Sequence, residues 1–226
     1  MKSQIVFIIA VVFLSGCNQK TTQRDLEPSS DLKAIGSLLD SIYIEDQKYR
    51  DEIEEISERY GWESEEMQKH WAKITKTDSN NLVVVKQILD THGWLSSEQI
   101  GSTANSTLFL VIQHSNQETQ EKYLPMMRQA VKDNKANSQS LALLEDRIAL
   151  GKGELQVYGS QIGKDSDTGE MFVLPLIEPE LVNERRASVG LGPIEEYISH
   201  WNIEWDIEEY KKKLPERIEK LRENSK

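Results

Sequence analysis

The stretch Leu141-Ala142-Leu143-Leu144-Glu145-Asp146-Arg147-Ile148-Ala149-Leu150 predicts a helix that is apolar on every side except for three consecutive charges at its middle. Neighbours on a helical surface lie three and four positions apart, so Glu145 and Asp146 are each surrounded by alanine, leucine and isoleucine side chains. A helix that is apolar all round is normally buried, and a buried charge is costly unless another group pairs with it. The sequence therefore predicts a polar centre built against this helix.

The segment that follows this helix changes from a helical period to a strand-like one. Residues 155–162 and 171–176 have strand composition, and the turn-rich run 163–169 joins them. We therefore expect an antiparallel β-hairpin at about residues 155–176. Alternation along its first strand places Gln156, Tyr158 and Ser160 on one face and Gln161 on the other.

The rest of the chain reads as amphipathic helices. A stripe of apolar residues at intervals of three and four runs from Leu32 to Tyr60, interrupted only by Asp46, and predicts one long helix that ends at Gly61. Such a stripe is typical either of a coiled-coil seam or of the inward face of a bundle helix, and the acidic runs beside it favour the bundle. A turn is expected at residues 78–81 and a kink or boundary at Pro125. The predicted fold class is mainly α, a multi-helix bundle-like domain with one inserted antiparallel hairpin.

The N-terminus predicts export and a lipid anchor. Residues 1–16 have a short basic start and an apolar run from Ile5 to Leu14, which suits a signal peptide and is too short to span a bilayer. The run ends in Leu14-Ser15-Gly16-Cys17, which resembles the lipobox of bacterial lipoproteins. That resemblance implies diacylglyceryl attachment to Cys17 and anchoring in a membrane of the bacterial cell envelope, inner or outer. The expected organisation is signal peptide 1–16, lipidated cysteine and polar tether 17–30, and one helical domain 31–226.

The composition limits the possible partners. The chain has 38 acidic and 27 basic residues, and one of the basic residues, Lys2, lies in the leader. So acidic a surface argues against nucleic acid as a partner. Because Cys17 is the only cysteine, no disulfide is available and the domain must be held by its core.

Common catalytic motifs are absent from the sequence, including the GxSxG elbow, the phosphate-binding loop, the HExxH helix and GxGxxG. What stands out is a set of polar residues in apolar settings. The primary candidates for catalysis or ligand binding are His92, His114, Asp146, Arg147, Gln156, Tyr158, Gln161, Arg185 and Arg186. The secondary candidates are Asp46, Arg50, Gln113 and Glu145.

These residues also carry a family resemblance. The matching pieces are Asp46-Gln47 with Arg50, His92-Gly93-Trp94, Gln113-His114, Asp146-Arg147, Gln156-x-Tyr158-Gly159-Ser160-Gln161 and Arg185-Arg186-Ala187. Over residues 39–198 the chain resembles an uncharacterised bacterial family, a domain of unknown function often found behind lipoprotein or secretory leaders. That family usually has threonine at the position of Ser160, a change that keeps the hydroxyl. The resemblance points to Asp146 over Glu145 and implies no mechanism.

The candidates admit structural and functional interpretations. Asp146 with Arg147, Arg185 or Arg186 is either a buried ion pair or part of a ligand site, and His92 is either a helix-end charge or a site residue. A metal site of His92, His114 and Asp146 lacks local ligand spacing, so we predict no metal and no cofactor.

We expect a lipid-anchored binding or interaction module with a polar pocket for a small molecule, glycan or protein. One alternative is a hydrolase or lyase acting on an envelope glycan or peptide through a buried carboxylate and a histidine. The other is a structural lipoprotein that pairs through its first helix. Whether the protein is an enzyme is left open by the sequence.

Overall fold

The computed structural model describes residues 30–165 and 168–224. The predicted signal peptide, Cys17 and most of the tether lie outside these residues. The helices are α1 (Ser30–Lys48), α2 (Ile53–Tyr60), α3 (Glu65–His92), α4 (Ser97–Ile100), α5 (Ser102–Gln113), α6 (Gln117–Lys132), α7 (Ser138–Gly151), α8 (Val182–Ser188), α9 (Ile194–Ile198) and α10 (Ile207–Asn224). Short 3-10 turns cover Pro179–Leu181 and Ser199–Trp201.

The predicted hairpin is present and its paired strands are short. Strand β1 (Ile162–Lys164) runs antiparallel to β2 (Met171–Val173), with Ile162 opposite Val173. The fold class is therefore confirmed as mainly helical with one inserted hairpin. The segment from Gln156 to Gln161, predicted as part of the first strand, is instead an irregular loop, which we call the clamp loop.

Two expectations about helix boundaries were wrong. The first predicted helix is divided into α1 and α2, because the chain turns at residues 49–52, where the ring of buried His70 contacts the carbonyl oxygen of Tyr49. The turn predicted at residues 78–81 is absent, and α3 runs straight through them. There Asp78 binds Arg50, and the Ser79 hydroxyl donates to a carbonyl within the helix. At Pro125, where a kink or a boundary was expected, helix α6 continues, so no boundary lies there.

Two groups of buried apolar side chains hold the structure. The larger one, which we call the helical core, is supplied by helices α1 and α3 to α7 and by the segment before α4, and its fully buried members include Leu39, Val85, Leu108, Ile112 and Leu144. The smaller one, the hairpin core, is formed by Val173, Leu176, Val182, Ile194, Ile198 and Tyr210. The apolar stripe of α1 packs inward, as expected for a bundle helix.

Helix α7 lies at the edge of the helical core, immediately before the clamp loop. Asn137 caps its N-terminus by accepting hydrogen bonds from the backbone N–H groups of Gln139 and Ser140. Ala142, Leu144 and Ile148 bury its apolar face. Among residues 30–165 and 168–224, no helix is both long and apolar enough to cross a membrane.

Candidate functional site

Asp146 fastens the clamp loop to α7. Its carboxylate is completely buried and accepts hydrogen bonds from the backbone N–H groups of Val157 (2.6 Å), Tyr158 (3.0 Å) and Ser160 (3.0 Å). Burial raises the pKa of Asp146, and these three backbone donors oppose that rise. Because both oxygens are engaged by the loop, Asp146 acts as an anchor for backbone groups.

Three further candidates hold the same loop from other sides. Buried Arg186 donates to the carbonyl oxygens of Tyr158 (2.8 Å) and Gly192 (2.6 Å). Arg185 donates to the carbonyl of Val157 at 2.8 Å. Gln156, with no exposed surface, closes the loop on itself by accepting from the N–H of Gln161 at 2.9 Å and donating to its carbonyl at 3.1 Å.

The candidates of the Gln-x-Tyr-Gly-Ser-Gln motif are therefore mainly the parts of one rigid loop. The hydroxyl of Tyr197 on α9 adds a further support by donating to the Ser160 carbonyl at 2.7 Å. Within the loop, the Gln161 amide donates to the Ser160 hydroxyl at 3.0 Å, and the Tyr158 side chain is half-buried. Burial and the nearby charge of Glu145 raise the pKa of Tyr158. The side chains of Tyr158 and Gln161 in this loop are both partly exposed.

A second group of candidates forms around His114, and we call it the histidine cluster: Asp46, Arg50, Asp78 and His114. His114 caps the C-terminus of α5, and its Nδ1 lies 3.1 Å from Oδ1 of Asp46. Only 1% of the Asp46 side chain is exposed, whereas His114 keeps 16% of its side-chain surface exposed. Burial alone would raise the pKa of Asp46, but the hydrogen bond and charge of His114, the charge of Arg50 and the amide of Gln47 together lower it.

Arg50 completes the cluster by joining α1 to α3. Its Nη2 donates to both oxygens of Asp78, at 2.8 and 2.9 Å, and its Nη1 lies 3.5 Å from Oδ2 of Asp46. Asp46, Asp78 and His114 each offer an atom with metal-ligand chemistry, and these atoms lie within 4.8 Å of one another. However, the guanidinium of Arg50 already contacts both carboxylates, so a positive charge stands where a bound cation would be needed.

Arg147 lies near this cluster with no partner for its charge. It follows Asp146 on α7 and is half-buried, and its Nε is buried without a hydrogen-bond partner. Burial lowers the pKa of Arg147, Tyr197 raises it and Arg50 lowers it. Arg147 therefore interacts electrostatically with Tyr197, which supports the clamp loop, and with Arg50 of the histidine cluster.

The remaining candidates have simpler surroundings. His92 is exposed at the end of α3, where Gly93 with φ 68° stops the helix, and it takes no part in the histidine cluster. Glu145 pairs with Arg128 at 2.7 Å. Gln113 is buried beside His114, and its side-chain oxygen has no hydrogen-bond partner.

Sequence reasoning missed two residues of this region. The sequence predicts a turn at Asp78. Its pairing with Arg50, 28 residues earlier, leaves no local sign in the sequence. Tyr197 lies in a short helix near the end of the domain, and no sequence pattern links it to the clamp loop. Both are brought in by tertiary packing, so only the folded chain reveals them.

A separate groove of about 1010 Å³ lies between the hairpin and α10. It is lined by Phe172, Trp205 and Arg217 among others, and none of the candidate residues lines it. Arg217 stacks 4.2 Å from the centre of the Phe172 ring, and the lysines of α10 that border the groove pair with glutamates of the same helix. Among the described residues, the buried side-chain atoms without hydrogen-bond partners belong to Asn81, Trp94, Gln113, Arg147 and Arg185, and none of these residues lines the groove.

Comparison with known proteins places the chain in a family but gives no activity. No curated protein and no solved structure matches the chain significantly. The model of DUF6624, a family of unknown function, matches residues 36–208. This span agrees with the resemblance that the sequence motifs carry, from Asp46 through Arg186. The chain therefore belongs to the DUF6624 family.

Proposed function

We propose that this protein is a lipid-anchored binding module of the bacterial envelope, with its ligand site at the histidine cluster and Arg147. The observation that carries the proposal is the state of His114. Its Nδ1 is held by buried Asp46, and no group in the described part of the chain hydrogen-bonds its Nε2. A fixed imidazole with one free nitrogen beside unmet polar atoms of Gln113 and Arg147 suits a site that receives a ligand.

A screen of metabolites and envelope glycans by thermal shift tests this binding function. The wild-type domain, His114→Asn and the matched control His92→Asn are each screened. We expect at least one compound to raise the unfolding midpoint of the wild type and of His92→Asn but not of His114→Asn, because His92 lies outside the cluster. Compounds that stabilise His114→Asn as well as the wild type would argue that the ligand binds elsewhere.

A hydrolase is the second candidate, and the geometry of the Asp46–His114 pair favours it over a lyase. The carboxylate at 3.1 Å orients the ring so that Nε2 can take a proton from a water that attacks an acyl or glycosyl carbon. This is the role of the buried carboxylate in a Ser-His-Asp site, without a serine nucleophile. Assay of the wild type on peptide and glycan substrates should then show turnover that falls by about 10²–10⁴-fold in His114→Asn.

The lipid anchor is supported by the apolar run that ends at Cys17 and by the absence of any other cysteine. Metabolic labelling of growing cells with a fatty-acid analogue tests it. We expect label on the wild type and none on Cys17→Ser, because the thioether needs the thiol. Label that persists on Cys17→Ser would show that the chain is acylated at another residue.

A further inference from the structure

Four arginines of the described chain lie at or near the candidate site, and three of them have oxygen partners for their charge. Arg50 binds Asp78 and Asp46, while Arg185 and Arg186 donate to backbone carbonyls. Nη1 of Arg185 is buried without a hydrogen bond, but it lies 3.8 Å from a carboxylate oxygen of Glu178. Each of these guanidinium groups has acceptor oxygens within hydrogen-bond distance. Arg147 is the exception, because no hydrogen bond or ion pair in the described part of the chain reaches it.

The groups around Arg147 do not neutralise its charge. Arg50 is itself a cation, and the carboxylate of Asp78 is already paired with Arg50, so neither group neutralises Arg147. The phenol of Tyr197 stays neutral near pH 7, because burial raises the pKa of its hydroxyl. Asp146 is adjacent in sequence, but its oxygens are occupied by the clamp loop.

A half-buried guanidinium of this kind is unfavourable, because the buried Nε has lost water and no acceptor in residues 30–165 or 168–224 replaces it. Arginine also remains protonated at any physiological pH, so loss of the proton cannot relieve the cost. The planar group presents parallel N–H donors, which match two oxygens of a carboxylate or phosphate.

We infer that Arg147 binds an oxyanion, a carboxylate or phosphate group of the ligand that the histidine cluster receives. This inference rests on the proposed binding function and adds the chemical class of the ligand. Arg50 adds positive potential from the side of the histidine cluster, and the free Nε2 of His114 is left to bind a polar neighbour of the anion. The ligand class is thus a small acid or a phosphorylated compound, and a neutral glycan would leave Arg147 unpaired.

Thermal unfolding in inorganic phosphate, in acetate and in chloride at matched ionic strength tests the inference. We expect the wild-type midpoint to rise saturably with phosphate or acetate over chloride; at ten times the dissociation constant the unfolding equilibrium shifts about elevenfold toward the folded state. Which of the two anions binds more tightly identifies the group that the ligand carries. No shift with either anion overturns the inference.

Arg147→Met removes the charge while keeping an extended side chain. We expect this variant to unfold at a higher temperature than the wild type in chloride and to show no response to the anions. The control Arg59→Met, at a position where 63% of the side chain is exposed, should respond as the wild type does. An equal anion response in Arg147→Met overturns the inference.

Arg147→Lys provides a second variant in case the methionine variant fails to fold. It keeps the charge but not the planar fork, so we expect the dissociation constant for the anion to rise at least about tenfold. An unchanged constant overturns the inference. If the compound screen instead finds a neutral ligand that needs His114 but not Arg147, the binding function stands and only the oxyanion assignment fails.

Discussion

Asp46 and Asp146 are both buried aspartates, and their surroundings shift their pKa values in opposite directions. Asp46 faces His114 and Arg50, whose charges outweigh the effect of burial and lower its pKa. Asp146 faces backbone N–H groups that carry no full charge, and burial raises its pKa despite them. Asp46 thus interacts with charged side chains, whereas Asp146 holds the backbone of the clamp loop.

Asp46→Asn tests the electrostatic role of the histidine cluster. Because the pKa of Asp46 is lower in the folded than in the unfolded state, ionised Asp46 stabilises the fold above the unfolded value of about 3.9. That contribution is lost as the pH falls through the folded-state pKa. We expect Asp46→Asn to cost about 3–5 kcal/mol near pH 7. Chemical denaturation should show this cost shrinking below about pH 4, and a cost that does not change with pH would contradict the assignment.

Asp146→Asn tests the anchoring role of the second aspartate. The amide keeps one acceptor oxygen, so one or two of the backbone donors from Val157, Tyr158 and Ser160 lose their partner. At about 1–3 kcal/mol for each unsatisfied buried donor, we expect a loss of roughly 2–4 kcal/mol in urea denaturation. Compounds that bind the wild type should still bind whatever fraction remains folded. Full stability without binding would instead make Asp146 a ligand-binding group.

Close packing of α1 against α4 and α5 helps to bring Asp46 on α1 to His114 at the end of α5. At Gly36 on α1, an added Cβ would lie 2.5 Å from the carbonyl oxygen of Ile100, which is backbone and cannot move aside cheaply. The glycine therefore sets how closely α1 approaches α4 and, through them, where Asp46 meets His114.

Gly36→Ala is expected to destabilise the protein even though alanine favours helix. Overpacking costs about 1–3 kcal/mol, and the gain in helix propensity of about 1 kcal/mol only partly offsets it. Exposed Ser37→Ala on the same helix is the matched control and should be near neutral. Thermal unfolding of the two variants separates these effects, and equal midpoints would show that the close approach at Gly36 does not limit packing.

At the level of elements, the sequence predicted what depends on local pattern. The apolar period of residues 138–150, the glycine stop at Gly93 and the hairpin turn all have short-range causes, and the structure has each of them. The break between α1 and α2 has no short-range cause, and neither does the unbroken course of α3. Both depend on contacts between helices. Asp78 pairs with distant Arg50, and the turn-forming residues 78–81 remain helical. His70 contacts the carbonyl of Tyr49 at the break between α1 and α2.

The site shows the same division between local and long-range causes. The family motifs pointed to Asp146, Gln156 and Arg186. In the structure these three residues hold the clamp loop by hydrogen bonds. Asp46 and Arg50 are four residues apart on one helix, so the sequence alone favours a local pair between them. Their proximity to His114 arises only when α1 and α5 pack together, and sequence spacing carries no record of that.

For the whole molecule, the helical core and the hairpin core meet near α7 and the clamp loop. Lys164 of the hairpin also lies 5.5 Å from the centre of the Trp62 ring, in the turn between α2 and α3. The apolar stripe of α1 packs into the helical core, where Leu39 and Ile42 are buried. We therefore do not propose pairing through the first helix.

A monomeric mature domain is the expected result of burying that stripe. Sedimentation velocity of the unlipidated domain, with Cys17 replaced by serine, should give one species of monomer mass over a wide range of concentration. A dimer that dissociates on Leu39→Asp without general unfolding would restore the structural alternative in which the first helix binds a partner.

Nitrogen-15 NMR of the side chains of the four histidines tests the role of His114 in the proposed site. At a pH where the imidazoles are neutral, we expect His114 to carry its proton on Nδ1, held by Asp46, and to leave Nε2 bare. Asp46→Asn should abolish this tautomer preference, and a bound ligand should shift the Nε2 resonance. A His114 that resembles exposed His92 in tautomer and in its response to Asp46→Asn would show that Asp46 does not orient the ring.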